Sequence, residues 1–188
     1  MKMINDNTFP SVDVQYSRKS VEKVMDSLDA ALDWQRRNRK SENDVFLEMM
    51  DNIRSDLSKF LIIRSCGYLE KTLLEASRVF AYHQASPGIR DYISHLETKW
   101  KSTKADSDRI LKIVTYLSNN NLDENFKNII NDNSTEIKSM ITYRNKIAHG
   151  TSEQSTPDTA IRLAKCALKV GKEIERQLKK ELCEIKRN

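Results

Sequence analysis

An all-α bundle built around one long central helix is predicted by three features of this 188-residue sequence. Only four glycines and three prolines interrupt it. Apolar residues recur at helical spacing through long stretches, and the strict alternation that marks strands is absent.

Residues 1–17 contain Pro10, lack periodicity and read as an N-terminal tail. The remainder, 18–188, is expected to form one domain, since a chain of this length supports one proper core more readily than two. A first helix is predicted from about Ser17 to Arg39, with Val21, Val24, Leu28, Ala31 and Leu32 on one face. A second begins near Glu42 and runs, straight or bent, to about His83. Its stripe Leu47, Met50, Ile53, Leu57 and Phe60 broadens at Leu61-Ile62-Ile63, which marks it as the most buried helix of the domain. Ser86-Pro87-Gly88 is a turn signal. Short helices are expected at about 89–100, 106–118 and 122–131, with a loop at Ser118–Asn121. Either Asn133 or Ser134 can cap the next helix, which turns Ile137, Met140 and Ile141 inward and ends at Gly150, a residue free to adopt the left-handed conformation. Thr156 followed by Pro157 is a helix start. The last helix then shows Ile161, Ala164, Leu168, Gly171, Ile174, Leu178 and Ile185 along one face.

Composition narrows the function classes. Charged residues make up 31% and apolar ones 38%, and no apolar run approaches the roughly 18 residues that span a bilayer. The N-terminus lacks the apolar stretch of a secretion signal, and Cys66, Cys166 and Cys183 are odd in number with no paired spacing. The expectation is a cytoplasmic protein without disulfide scaffold, zinc site or membrane partner. The net charge of +5 is uneven: Arg162 to Asn188 holds nine Lys/Arg against four Glu, which accounts for the whole excess. A second basic cluster, Arg36, Arg37, Arg39 and Lys40, follows Trp34. Such patches suit polyanions, and equally serve as solvated helix faces. Trp34 can stack a base or pack against the fold.

Chemistry concentrates in Tyr143-Arg144-Asn145-Lys146-Ile147-Ala148-His149-Gly150. Arginine and histidine stand five residues apart at a predicted helix end, rotated by about 140° on an ideal helix. They converge on one phosphate only if His149 lies where the helix unwinds, or if two copies of the helix line a shared cleft. A helix C-terminus attracts positive charge, which suits a proton donor. Histidine can take a proton from a ribose 2′-OH or give one to the leaving 5′-oxygen, while arginine holds phosphate oxygens as negative charge builds. This chemistry needs no metal and no cofactor, leaves a 2′,3′-cyclic phosphate and spares DNA. The plainer alternative is a helix-end histidine bonded to a carbonyl. His83 and His95 have no partners at ligand spacing, Cys66 reads as a small core residue, and no phosphate-cradling glycine loop is present.

The run from Arg144 to Gly150 resembles the signature of HEPN domains: an arginine, a polar residue, then a histidine a few positions on. Leu57 to Glu70 resembles the long second helix of the RiboL-PSP-type HEPN group, and the likeness covers most of residues 42–175. The resemblance implies an antiparallel helical bundle of the HEPN type with a long central helix and extra short helices. It implies a ribonuclease working as a homodimer on RNA, with Arg144 and His149 as the catalytic pair and Asn145 in the motif's polar position. Many HEPN proteins carry a tyrosine shortly after the histidine; here Gly150 and Thr151 follow, so that variant's chemistry does not transfer. Glu70 matches an acidic position able to orient Arg144 or the imidazole. Lys146, Arg64 and Tyr68 are candidates to contact RNA, the last two alternatively to brace the bundle. Proteins of this type are linked to phage defence and abortive infection, which implies an RNA-cleaving effector with an antitoxin or sensor subunit as a compatible partner. The competing readings are a HEPN module that binds RNA or a partner without cutting, and a purely structural helical subunit.

Overall fold

A computed structural model of the chain describes residues 9–37, 44–86, 104–118, 120–150 and 155–185. Six helices and no strand occur among the described residues. They are α1 (Val12–Arg37), α2 (Asp44–Gln84), α3 (Ser107–Leu117), α4 (Glu124–Asp132), α5 (Ser134–Ala148) and α6 (Pro157–Ile185). The helix expected at 89–100, the turn at Pro87-Gly88, and Arg39, Lys40 and His95 lie outside the described residues.

The helix ends follow local chemistry. α1 begins at Val12, ahead of the expected Ser17: the Ser11 hydroxyl accepts the Val14 N–H at 3.3 Å, and Val14 is already buried. Asp106 and Asp123 cap α3 and α4 by accepting the N–H groups of Arg109 and Asn125, each at 2.9 Å. Asn133 stands at the N-cap of α5 without capping it, because its amide donates back to the Ile129 carbonyl at 2.7 Å. Gly150 closes α5 with φ of 68°, and Thr156 caps α6 by accepting the Thr159 N–H at 3.2 Å, with Pro157 at the first helical position.

α2, with 41 residues, is the axis on which the others pack. α1 runs antiparallel to it, as the pairs Asp13–Lys71 and Gln35–Arg54 at opposite ends require. α1 is also antiparallel to α6, through Arg18–Glu175 at 3.0 Å and Glu22–Lys172 at 3.9 Å. The three meet at a buried junction where Tyr68 donates its hydroxyl to Glu175 at 3.0 Å. Gly171 admits the ring, since a Cβ there would come within 2.5 Å of Tyr68 Cζ and Oη. Tyr68 therefore braces the bundle: it is wholly buried, and the alternative of RNA contact is corrected. Burial and the neighbouring Glu175 carboxylate hold its phenol protonated.

The apolar face expected of α6 is buried from Ile161 to Leu178. The expected stripe of α2 needs correction. Leu61 and Ile62 are fully buried, but Ile53, Phe60 and Ile63 are about 40% exposed, at 41%, 40% and 40%. With Val45 and Met49 they form an exposed apolar row, all within about 80° of one another around the helix and spread over about 27 Å of its length. The run Leu61-Ile62-Ile63 is thus covered on one side only. Trp34 packs edge-on against Phe46, ring centroids 5.3 Å apart. None of these helices is long and apolar enough to cross a membrane.

Candidate functional site

Arg144 occupies a position that the helix geometry turns inward. Ile137 and Met140 face the core, and Arg144 follows Met140 by four residues on the same side of α5. A guanidinium in that register needs compensation, because a buried charge without a partner is strongly destabilising. Glu70 on α2 supplies it: Nη2 of Arg144 lies 3.7 Å from Glu70 Oε1, with the two side chains 35% and 16% exposed. This is an ion pair longer than a hydrogen bond. Among the described residues, the hydrogen bond that anchors the head runs from Nη1 to Asn145 Oδ1 at 3.1 Å. A guanidinium has five N–H donors, so Arg144 is aimed by two neighbours and keeps donors for an anion.

The α2 side of the site is apolar and tight. Cys66 lies one turn before Glu70, and its thiol donates to the Met140 carbonyl at 3.6 Å. Burial first, then the Glu70 carboxylate, push that thiol up to about 12, against an opposing effect of Arg144. It is a neutral packing group and no nucleophile at physiological pH. Burial also raises Glu70 above the ordinary carboxylate range, and Arg144 pulls it back.

His149 is the C-cap residue of α5, with φ −92° and ψ 8°, and its N–H bonds to the Asn145 carbonyl at 3.0 Å. Its side chain is exposed. Five residues of helix place it about 140° around the axis and about 7.5 Å along it from Arg144. One chain therefore does not bring the pair to a common side. Asn145 connects them: it holds the Arg144 head and stands four residues before His149, on the same side of the helix.

The other candidates separate. Lys146 is exposed on α5, away from the inward row. Arg64 is exposed on α2, its guanidinium 4.7 Å over the Phe60 ring, at the margin of the apolar row. Cys66 is the small core residue expected from sequence, whereas Glu175 and Gly67 were missed. At Gly67 a Cβ would meet nothing within 4 Å, so this side of α2 has space among the described residues, between the exposed Ile63 and Glu70. No group of three His, Cys, Asp or Glu able to hold a metal ion occurs among the described residues.

Comparison with curated proteins and with solved structures found no match. The profile of one family, described as RiboL-PSP-HEPN, does match, over residues 37–180, a span that contains α2 through most of α6 together with Glu70, Arg144 and His149. An all-helical bundle with that coverage makes the chain a member of the RiboL-PSP-HEPN family.

Proposed function

We propose that the chain is a metal-independent endoribonuclease that acts as a homodimer, with His149 moving protons and Arg144 stabilising the phosphate. The observation that carries this reading is the state of Arg144: half-buried, aimed by Glu70 and Asn145, and left with further donors unused among the described residues. A structural arginine in that position would be expected to be saturated by its neighbours.

The chemistry follows from the groups. The attacking 2′-oxygen loses a proton and the leaving 5′-oxygen gains one, on opposite sides of the phosphorus. Neutral imidazole suits the first task and imidazolium the second. Arg144 donates to the non-bridging oxygens as charge builds on them, leaving a 2′,3′-cyclic phosphate and a free 5′-hydroxyl. One imidazole on one helix does not reach both sides of such a phosphate, and two copies do. The exposed row Val45, Met49, Ile53, Phe60 and Ile63 continues along α2 past Gly67 to Glu70, so a second copy covering it would bring a second α5 to the site. His149 of the partner subunit would then face Arg144 across the shared cleft. An effector role in phage defence or abortive infection is the family habit that fits such an enzyme.

The test is cleavage of RNA by the purified chain in EDTA, beside its His149→Ala form. Cutting by the wild type alone, with cyclic phosphate ends, is the expected result. A folded, dimeric wild type that binds RNA without cutting it points instead to a non-catalytic binding module. Equal cutting by both proteins refutes the role of His149.

A further inference from the structure

Beyond its first turn, where Asp158 is exposed, the outer face of α6 is cationic among the described residues. Between Arg162 and Lys180 every exposed position is Lys or Arg: Arg162, Lys165, Lys169, Lys172, Arg176 and the Lys179–Lys180 pair. They fall within about 100° of one another around the helix and extend over about 27 Å. The acids of the same stretch lie elsewhere: Glu175 is buried with Tyr68, and Glu173 is partly buried against Arg176. Three of the cations are tied to acids, namely Arg162 to Glu136, Lys172 to Glu22 and Arg176 to Asp123 and Glu173. Lys165, Lys169 and Lys179 have no acidic partner among the described residues, and Lys180 forms no salt bridge there but lies within electrostatic reach of Asp123, which Arg176 already engages.

A helix face built only for solubility would intersperse both signs, since like charges three and four residues apart repel. A uniform row is instead matched by a uniform polyanion. Its length is that of about eight nucleotides of one duplex strand. α6 contains no aromatic residue, so the row has nothing on which to stack bases. It also has no apolar edge to insert into a bilayer, because Ile161, Leu168, Ile174 and Leu178 are committed to the core. Phosphates are what remains for it to recognise.

We infer that the outer face of α6 is a sequence-independent track for the RNA backbone, on which Lys165, Lys169, Lys179 and Lys180 supply the exchangeable contacts. The inference rests on the reading of the chain as an RNA-handling protein and assigns the substrate a second holding surface, apart from Arg144 and His149. Such a track fixes affinity and leaves the choice of cleavage site to other contacts.

The experiment is fluorescence anisotropy of a short single-stranded 2′-O-methyl RNA, which lacks the attacking hydroxyl and reports binding alone. The intact chain is compared with K165Q/K169Q/K179Q/K180Q, and with the corresponding fourfold Arg variant as a charge-preserving control. Four lost phosphate contacts should make the slope of log K against log salt shallower by about 3, and weaken binding by about tenfold or more at moderate salt. The Arg variant should behave as the wild type. An unchanged slope and affinity in the Gln variant overturns the assignment. So does equal or tighter binding of the wild type to phosphatidylserine vesicles that the Gln variant loses. If the Gln variant binds as the wild type does while the wild type still cuts natural RNA, only this inference fails. If salt-dependent binding needs the four lysines but nothing is cut, only the nuclease reading fails.

Discussion

Replacing Arg144 by methionine should destabilise the protein through Glu70, and the effect can be worked from the geometry. The charges approach to 3.7 Å. At an effective dielectric constant of about 20 such a pair attracts by about 4 kcal/mol. The Arg144 side chain is 35% exposed, so water screens much of this, and exposed pairs retain only about 0.2–1 kcal/mol. With Glu70 at 16% exposure, a net coupling of about 1 kcal/mol is expected, near the top of that range. The assay is a double-mutant cycle of urea unfolding on Arg144→Met, Glu70→Gln and both together, at one fixed protein concentration. Arg144→Met should carry the larger loss, because it leaves a half-buried carboxylate uncompensated. Glu70→Gln should cost less, since the arginine head can turn to solvent. The double variant should be less destabilised than the sum of the two.

The pH dependence fixes the sign. Burial raises Glu70 above its unfolded value despite Arg144. A group raised in this way favours the folded state below the ordinary carboxylate range, and that contribution is lost as pH rises through the folded value. Arg144 offsets the loss, and without it the folded value climbs further. The destabilisation by Arg144→Met should therefore be larger at neutral pH than under acid conditions, where protonation of Glu70 removes the uncompensated charge. Additive effects within about 0.5 kcal/mol at neutral pH, or a coupling of the same size at acid pH, would refute the reasoning.

Gly171→Ala should destabilise by about 1–3 kcal/mol, because the new methyl group meets the Tyr68 ring held by Glu175; a lowered thermal midpoint reports it, and an unchanged one shows that the ring yields without loss. Phe60→Asp with Ile63→Asp should leave the fold intact, both positions being 40% exposed, yet dissociate the proposed dimer by analytical ultracentrifugation and lower the proposed RNA cleavage at least about tenfold; a dimer of unchanged stability places the interface elsewhere.

Much of the fold was legible because it is written in local chemistry. Thr156-Pro157 and Gly150 mark the helix ends that the structure uses, since capping and left-handed backbone depend on adjacent residues. Ser11 was missed: the first turn of α1 mixes exposed and buried positions, and its cap shows only once Phe9 and Val14 are seen in the core. The apolar width of α2 signalled burial, but hydrophobicity does not say whether the covering surface belongs to the same chain. Ile63 and Leu61 read alike in sequence and differ completely in exposure. Tyr68 was ambiguous for the same reason. Its role depends on Gly171, over a hundred positions later, and no spacing rule links the two. The motif residues were visible as chemistry, and their mutual placement was not. The sequence distance of five already required that Arg144 and His149 diverge on a regular helix, and the structure keeps that helix regular to Ala148.

Helix α5 departs from the pattern of a stable bundle at one point. Its inward row passes from Ile137 and Met140 to Arg144, where an apolar side chain would complete the packing against α2 without a compensating acid. Replacing a buried ion pair by apolar residues is often neutral or stabilising, so the Glu70–Arg144 pair is poorly explained by stability alone. Among the described residues Glu70 does not saturate the guanidinium, Asn145 takes one donor, and α2 has space beside Gly67. Each of these choices gives up packing, and all of them leave the same group available to an anion. Residues that break local rules together around one unsaturated cation are the expected mark of a site retained for what it binds.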